Sequence, residues 1–472
     1  FPERTPREFD LAGHLAIVAS CKSGIVSRVR ADLESLADDQ EIGSSLIAGP
    51  DRDPLPVVCH EGGSFAFARL HAAESDLVRR LVSRMRTRSD LGEDRIQAAL
   101  RSIDALPGHA LHQAQRDAVE AALRRPFLVL TGGPGTGKTT VVSRILLALS
   151  RCLDGFDPES VALCAPTGRA KSRMSESIGR NLAPIAGVDP VAAALSGAKA
   201  STLHSLLGAL PDGSFRHGPD NPLPHRVVVL DEASMVDLPL FASFLAALSR
   251  EARLVVVGDP DQLPSVDPGA VLADLVANPR LQRIRSHLVH THRNTGDVAE
   301  ICRMAVQGLA LGPWLAGRRA DIGACGDVRA RIGGVAHLGG DRIDRRIPSW
   351  LEERFGDGLR DAARTGFADP VPLLDLVERS RILCVVHEGE SGAQTLNRIG
   401  DHWLRDAFHG SWRGRFAPGQ QLILTRNHPR RDLWNGDLAV AALREERLVA
   451  VFPKPTGPVA VPVDQLEGLE SA

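Results

Sequence analysis

The sequence predicts an α/β protein built on a parallel, doubly wound sheet. Four short apolar runs carry that expectation: FLVL at 127, VALC at 161, VVVL at 227 and LVVV at 254. Helical or loop segments separate them, which is the rhythm of strand and crossover helix. The runs deliver polar or glycine-rich residues at their carboxyl ends, the edge where ligands gather in such sheets.

At about 150 residues per domain as a soft prior, a chain of 472 residues holds two or three domains with ample core. The mixture of 43% hydrophobic and 24% charged residues is that of an ordinary globular protein. The longest apolar runs, VVVL and ILLAL at 145, fall far short of the roughly 18 residues that span a bilayer. The N-terminal FPERTPREFD is charged rather than apolar, so it does not read as a secretory signal, and the reading is cytoplasmic; the sequence also lacks a starting Met. Seven cysteines (21, 59, 152, 164, 302, 325 and 384) contain no CxxC pair, which argues against a zinc site, an iron–sulfur cluster or a disulfide framework. With 56 basic and 58 acidic residues the net charge is −2, so any nucleic-acid site must be local. Only five residues are Lys and none is Tyr; nothing in the sequence explains the missing Tyr.

Along the chain, residues 1 to about 107 alternate β-like runs (HLAIVAS, PLPVVC, SFAFARL) with a helical stretch from Glu74 to about Leu100, where Leu77, Leu81, Val82 and Met85 recur at helical spacing. Pro107 and Gly108 punctuate, and the four-strand α/β segment begins at Leu111. Residues 311 to 348 are rich in Gly, Arg and Asp with weak periodicity and read as loop. A strand, RILCVV at 381, and a helix from Gln394 to Ala407 follow. LILT at 422, LAVAAL at 438 and RLVAVF at 447, with turn signals between them, read as a small β module.

The first strand runs into TGGPGTGKTT, from Thr131 to Thr140. Gly132, Gly137, Lys138 and Thr139 fall on the spacing GxxxxGK[ST], in which glycines leave backbone N–H groups free to wrap phosphate oxygens. The loop, comprising Gly132, Gly133, Pro134, Gly135, Thr136, Gly137, Lys138, Thr139 and Thr140, is expected to hold a nucleotide polyphosphate. Lys138 would reach the β- and γ-phosphates, the Thr139 hydroxyl would hold Mg²⁺, and the following helix would aim its N-terminus at the anion. VVVL ends in Asp231 and Glu232; the Asp suits Mg²⁺ and the Glu suits polarising a water, so the pair implies hydrolysis of the γ-phosphate rather than its transfer. LVVV leads into GDPDQLPSVDPG, where Gln262 is placed to sense either the γ-phosphate or the water. A GTPase would carry an NKxD-type guanine reader, yet none of the five Lys follows an Asn. A small-molecule kinase needs neither the acidic pair nor so long a chain, which leaves an ATP-driven motor or switch.

LHQAQRDAV (111 to 119), GGPGTGKTT, APTGRAK (165 to 171), STLHSLL (201 to 207), DEASMVD (231 to 237), GDPDQLPSVDPG (258 to 269) and THR (291 to 293) resemble, in order, the motifs of superfamily 1 DNA helicases. The likeness is greatest to the RecD family, the alpha subunit of bacterial exodeoxyribonuclease V (RecBCD). GSFAFARLHAAE (63 to 74), RILCVVHEGESGAQTLN (381 to 397) and TRNHPRRDLWNGD (425 to 437) are similar to further segments of that family. The resemblance spans nearly the whole chain and is weakest at 1 to 50 and 311 to 350. It implies a P-loop NTPase with RecA-like motor domains: a partner-interaction domain at 1–107, a first motor domain at 108–283, and an incomplete second at 284–472 with an SH3-like β module at about 415–472.

The same resemblance implies roles. Gln115 would contact the adenine, Lys138 and Thr139 the phosphates and Mg²⁺, and Asp231 and Glu232 the metal and the water. Gln262 would couple the γ-phosphate to DNA, and Arg293 would be an arginine finger stabilising transition-state charge. Thr167, Arg169, Thr202 and His204 would line the single-strand path, where hydroxyls, an Arg and backbone N–H groups suit contacts indifferent to sequence. The implied activity is ATP-dependent 5′→3′ unwinding in double-strand-break repair, with RecB-like and RecC-like partner subunits and the nuclease site on another subunit. Two departures stand out. Positions around Ala66 to His71 lack the Tyr residues the family often carries, and the chain stops at VDQLEGLESA, where a segment resembling HKSQGSE and a second catalytic Arg would follow; weak ATP binding and hydrolysis are the expectation. A stand-alone RecD-like helicase would usually carry helix-hairpin-helix repeats, and none is read in 1 to 107. A clamp-loader ATPase would typically place a lone Asn or Thr after the fourth strand. A non-motor interaction subunit with a relic ATP site is the remaining class.

Overall fold

The computed structural model describes residues 47–48, 57–59, 65–87, 89–107, 110–289, 296–317, 343–378, 380–410, 412–454 and 457–472. The chain divides into two compact units, Phe1–Arg293 and Asn294–Ala472.

In the first unit, strands β1 (Ile47–Ala48), β2 (Val57–Cys59) and β3 (Phe65–Phe67) form a small sheet that leads into helix α1 (Ala68–Arg86). Helices α2 (Glu93–Asp104) and α3 (Gln113–Arg124) follow. The main sheet is built from β4 (Phe127–Gly132), β5 (Val161–Ala165), β6 (Ser201–Thr202), β7 (Val227–Leu230), β8 (Arg253–Gly258) and β9 (Arg285–Leu288). Their order is β6-β5-β7-β8-β4-β9 and every pairing is parallel. Between them run α4 (Lys138–Cys152), α5 (Gly168–Ala186), α6 (Pro190–Ser196), α7 (Leu203–Leu207), α8 (Leu238–Ala247) and α9 (Val271–Ala277).

Why the strands read as unbroken apolar runs is plain from their burial. Leu128, Leu130, Val227, Val229, Val255 and Val257 face a layer made by α2 to α6. Their alternate neighbours, Phe127, Val129, Val228, Leu230, Leu254 and Val256, face a second layer containing α1, α8 and α9. Both faces of the sheet are therefore covered, as parallel sheets require. The four strands expected from sequence are present, and β6 and β9 add one to each edge.

Three expectations in this unit change. The helical stretch from Glu74 to Leu100 is two helices, the first ending at Arg86 and the second starting at Glu93. The break is held by tertiary contacts: the Arg253 guanidinium donates to Ser89 Oγ and to the carbonyls of Ala122 and Leu123, and Ser89 itself donates to Leu123. SFAFARL is a strand only as far as Phe67, after which the chain is helical. The sheet also runs past the expected boundary at 283, because β9 pairs with β4. HLAIVAS lies outside the described residues.

Helix α1 is fixed to this body by Leu77 and Leu81 and by Arg84, which is 7% exposed. Its guanidinium donates to the carbonyls of Ala252 (3.0 Å) and Ser249 (2.6 Å) in the turn between α8 and β8. Burial, with the nearby Arg80 charge, lowers its pKa to about 10.

The second unit contains α10 (Gly296–Val306), α11 (Leu311–Ala316), α12 (Ile343–Leu351), α13 (Asp357–Arg364), α14 (Pro370–Glu378) and α15 (Ala393–Leu404). A five-stranded antiparallel sheet follows, from β10 (Gln421–Leu424), β11 (Leu438–Arg444), β12 (Arg447–Phe452), β13 (Val459–Pro462) and β14 (Leu469–Ser471), in the order β13-β12-β11-β10-β14. One face packs Val440, Ala442, Val449 and Val451 against Leu359, Leu373 and Leu404; the other gathers Leu422, Ala441, Phe452 and Val461. This is the small β module expected from the turn-punctuated runs. The terminal strand is tied in by a buried amide, since Gln420 donates to Asp401 Oδ1 (2.7 Å) and Ser471 Oγ (2.6 Å).

Within 311 to 348, expected to be loop, residues 311–316 and 343–348 are helical, and 318–342 lie outside the described residues. The larger correction is RILCVV: residues 381–386 form no strand, and Leu383 is 90% exposed. A strand needs neighbours for its N–H and C=O groups, and the strands described in this unit pair among themselves in the antiparallel sheet.

Replacing Arg84 with Ala should lower stability to urea by about 2–4 kcal/mol, the usual loss when a buried, hydrogen-bonded charge leaves its partners unpaired. Urea midpoints of the two chains check it.

Candidate nucleotide site at the carboxyl edge of the sheet

The fully buried strand β4 ends at Gly132, and residues 133 to 137 turn the chain into α4. Gly135 and Gly137 take left-handed φ values of 77° and 84°, where a side chain would be strained. Contacts add a second constraint: a Cβ on Gly137 would lie 2.5 Å from Gln115 Nε2, and one on Gly132 would lie 2.7 Å from the Leu288 carbonyl oxygen. The loop is braced from within, because the buried Thr136 hydroxyl donates to the Gly133 carbonyl at 2.9 Å. Lys138, the first residue of α4, curls its ammonium over the loop and donates to the carbonyls of Gly132 (2.5 Å) and Gly133 (3.1 Å). A cation therefore sits at the centre of a loop that opens onto a helix N-terminus, which is an arrangement for holding an anion.

Gln115 lies beneath that loop. Its Oε1 accepts from the His112 N–H at the start of α3, and its Nε2 donates to the Thr136 carbonyl, both at 3.1 Å. The amide thus braces helix start and loop together, keeping one N–H and one lone pair for a further partner. Thr139 presents its hydroxyl in the first turn of α4, and Thr140 donates to Asn181 Oδ1 of α5 at 3.4 Å.

Strand β7 delivers the acidic pair. The Asp231 N–H is held by the Cys164 carbonyl of neighbouring β5 at 2.8 Å. Glu232 then takes φ 51°, a left-handed conformation seldom adopted by a residue with a side chain, and its N–H donates to Asp231 Oδ1 at 2.9 Å. Burial pushes the Asp231 carboxyl up to about 6; the Glu232 N–H lowers it, the Glu232 charge raises it, and the Lys138 ammonium lowers it. Lys138 and Asp231, 93 residues apart in sequence, therefore act on one another across β4, β8 and β7. A hydroxyl on Thr139 and a carboxylate on Asp231 are hard oxygen donors of the kind Mg²⁺ prefers. A half-buried carboxyl raised in pKa is one that a cation would stabilise in its charged form.

Strand β8 delivers Gln262. It follows a tight turn in which Asp259, 3% exposed, accepts the Asp261 N–H at 3.1 Å and the Gln262 Nε2–H at 3.3 Å. Ser265 closes the same loop by donating to the carbonyls of Asp267 and Gly269. Sequence reasoning singled out Gln262 and passed over Asp259, although an Asp directly after a buried strand is the same signal that picked out Asp231.

Strands β5 and β6 deliver Thr167 and Thr202, Ala165 lying opposite Thr202 in the ladder. Each hydroxyl caps the helix that follows: Thr167 accepts from the Ala170 N–H and Thr202 from the Ser205 N–H, both at 3.2 Å. Arg169 is half-buried in the first turn of α5, and His204 is exposed with its ring 6.0 Å from that of Phe215. Arg293 lies outside the described residues. The other expected site residues thus leave the carboxyl edge of one sheet or, like Gln115, lie against the loop that does.

The class defined by this sheet and loop is the phosphate-loop nucleotide-binding fold, and residues 115–268 match the AAA domain family. Among curated proteins, the chain is a relative of the RecD subunits. It is 36% identical over 366 residues, 76% of this chain, to the RecBCD enzyme subunit RecD of Mycobacterium tuberculosis, and 35% identical over 355 residues to that of Mycolicibacterium smegmatis. It spans 60% and 59% of the length of those two relatives. Over 71% of its length it is also 30% identical to the ATP-dependent RecD2 DNA helicase of Deinococcus radiodurans, of which it covers 39%. A solved Bacteroides Pif1 bound to single-stranded DNA aligns over 75% of the chain and 74% of its own, at 13% identity and a TM-score of 0.36. No described helix is long and apolar enough to cross a membrane.

The raised Asp231 pKa has a definite sign. The unfolded carboxyl, near 3.8, releases its proton before the folded one at about 6, so this group's contribution to stability falls as pH rises between those values and is level above them. Asp231→Asn should therefore gain about 1–3 kcal/mol over wild type at pH 7.5 without ligand, and less at pH 5. Urea midpoints at the two pH values check this.

Proposed function

We propose that this chain is the ATP-driven motor of a RecD-type DNA helicase, moving 5′→3′ and acting with RecB-like and RecC-like subunits at double-strand breaks in the cytoplasm. The observation that carries the reading is that Lys138, Asp231 and Gln262 follow three adjacent strands at one sheet edge, with Lys138 and Asp231 close enough to interact. A site for binding alone needs the loop; it does not need a carboxylate raised in pKa, a strained neighbouring Glu and an amide at the same sheet edge.

On this reading the loop N–H groups and Lys138 hold the β- and γ-phosphates, and the free valences of Gln115 read adenine. Thr139 and Asp231 would hold Mg²⁺, which supplies charge neutralisation on the phosphates. Glu232 accepts the proton of the attacking water. Arg293 would approach the γ-phosphate. Thr167, Arg169, Thr202 and His204 contact the strand backbone, and the two hydroxyls, which accept in their caps, keep their O–H groups to donate to phosphate oxygens. Residues 1–107 serve partner contact, those from 108 through β9 the first motor domain, and those beyond it the second, with the β module from about 415.

Turnover of Mg·ATP by the 472-residue chain should rise with single-stranded DNA and fall by about 100-fold or more in Lys138→Ala. Steady-state phosphate release with and without DNA measures both. Turnover indifferent to Lys138, or a folded chain that binds no nucleotide, contradicts the reading.

A further inference from the structure

Asp259 is an acidic side chain buried to within 3% of its surface at the end of β8, and no Lys or Arg pairs with it among the described residues. A carboxylate in that position is costly unless its lone pairs are used. Its two described side-chain partners are local: the Asp261 N–H on Oδ1 and the Gln262 amide on Oδ2. The backbone repeats the link, with the Gln262 N–H donating to the Asp259 carbonyl at 3.2 Å. Gln262 itself is exposed, so nothing else in its packing fixes which end of the amide faces which way.

We propose that Asp259 is the positioning residue for Gln262: its buried carboxylate holds the amide by an N–H and so fixes the side chain with its oxygen as the outward acceptor. The inference rests on the hydrolytic reading above and deepens it. A carboxylate accepts and never donates, so it selects the NH₂ end of the amide. The amide keeps its oxygen, which accepts from a water O–H and repels a phosphate oxygen, and one N–H beside it. Each of the two roles open to Gln262 then uses a fixed atom: the remaining N–H to sense the γ-phosphate, the oxygen to orient the water. An unpinned amide would present either end, and half of its orientations would be unproductive.

Asp259→Asn tests this with little change in volume, since Asn offers the Gln262 amide either an acceptor or a donor and no longer selects one end. The variant should lower DNA-stimulated kcat by about 10- to 100-fold and leave KM for ATP within about twofold, the pattern of an interaction made in the transition state. In a Gln262→Ala background the same change should have no further effect on kcat, because a residue acting through its neighbour is silent once the neighbour is gone. Additive losses, or an Asp259→Asn chain with wild-type kcat, overturn the proposal.

A second readout does not depend on turnover. In the full chain labelled with ¹⁵N-glutamine, the Gln262 side-chain NH₂ pair, identified by its disappearance in Gln262→Ala, should show slowed exchange that Asp259→Asn abolishes. A pair unchanged by Asp259→Asn overturns the pairing. A wild-type chain without turnover refutes the motor reading of this chain, and the amide spectrum then decides the pairing alone.

Discussion

Everything at the carboxyl edge depends on the double-sided burial of β4, β7 and β8. Each residue of these strands is buried, alternate side chains entering one helical layer or the other, so a one-residue slip would exchange the two layers. That register sets where the first polar residue after each strand emerges. Leu130 stands opposite Val257, and Leu230 opposite Val256. Lys138, Asp231 and Asp259 are in this sense products of the packing of valines and leucines: shift the core and the chemistry disperses.

Onto that frame the site concentrates features that stability alone would not select. Glu232 is left-handed without being glycine, Asp231 is half-buried against its own ionisation, and the Lys138 ammonium is gathered onto loop carbonyls. These are local costs held in place by a rigid surround, and a polyanion with a cation would relieve the last two. The neighbouring helices are instead conventional: Thr167 and Thr202 cap their helices, and Asp189 caps α6 by accepting from Val191 and Ala192.

Much of this was legible in the residues. The four apolar runs and the GxxxxGK[ST] spacing gave the strands and the loop, because both follow from local chemistry: burial on two faces, and the need for N–H groups unobstructed by Cβ atoms. What escaped was set by partners distant in sequence. The break between α1 and α2 is held by Arg253, 164 residues beyond Ser89, and β9 is recognisable as a strand only through its pairing with β4. RILCVV shows the converse, since apolar, β-branched residues confer the capacity for a strand but hydrogen-bonded neighbours decide it. Asp259 was legible and passed over, its role visible once Gln262 was seen to lean on it.

Hydrogen–deuterium exchange of the full chain with and without Mg·ATPγS tests the central claim, that one sheet edge is the nucleotide site, most directly. Binding there slows exchange at the amides of residues 133–140 and 232 and in the 259–262 turn, while the antiparallel sheet of residues 421–471 exchanges as before. Protection confined to other segments, or none at saturating nucleotide, would contradict it.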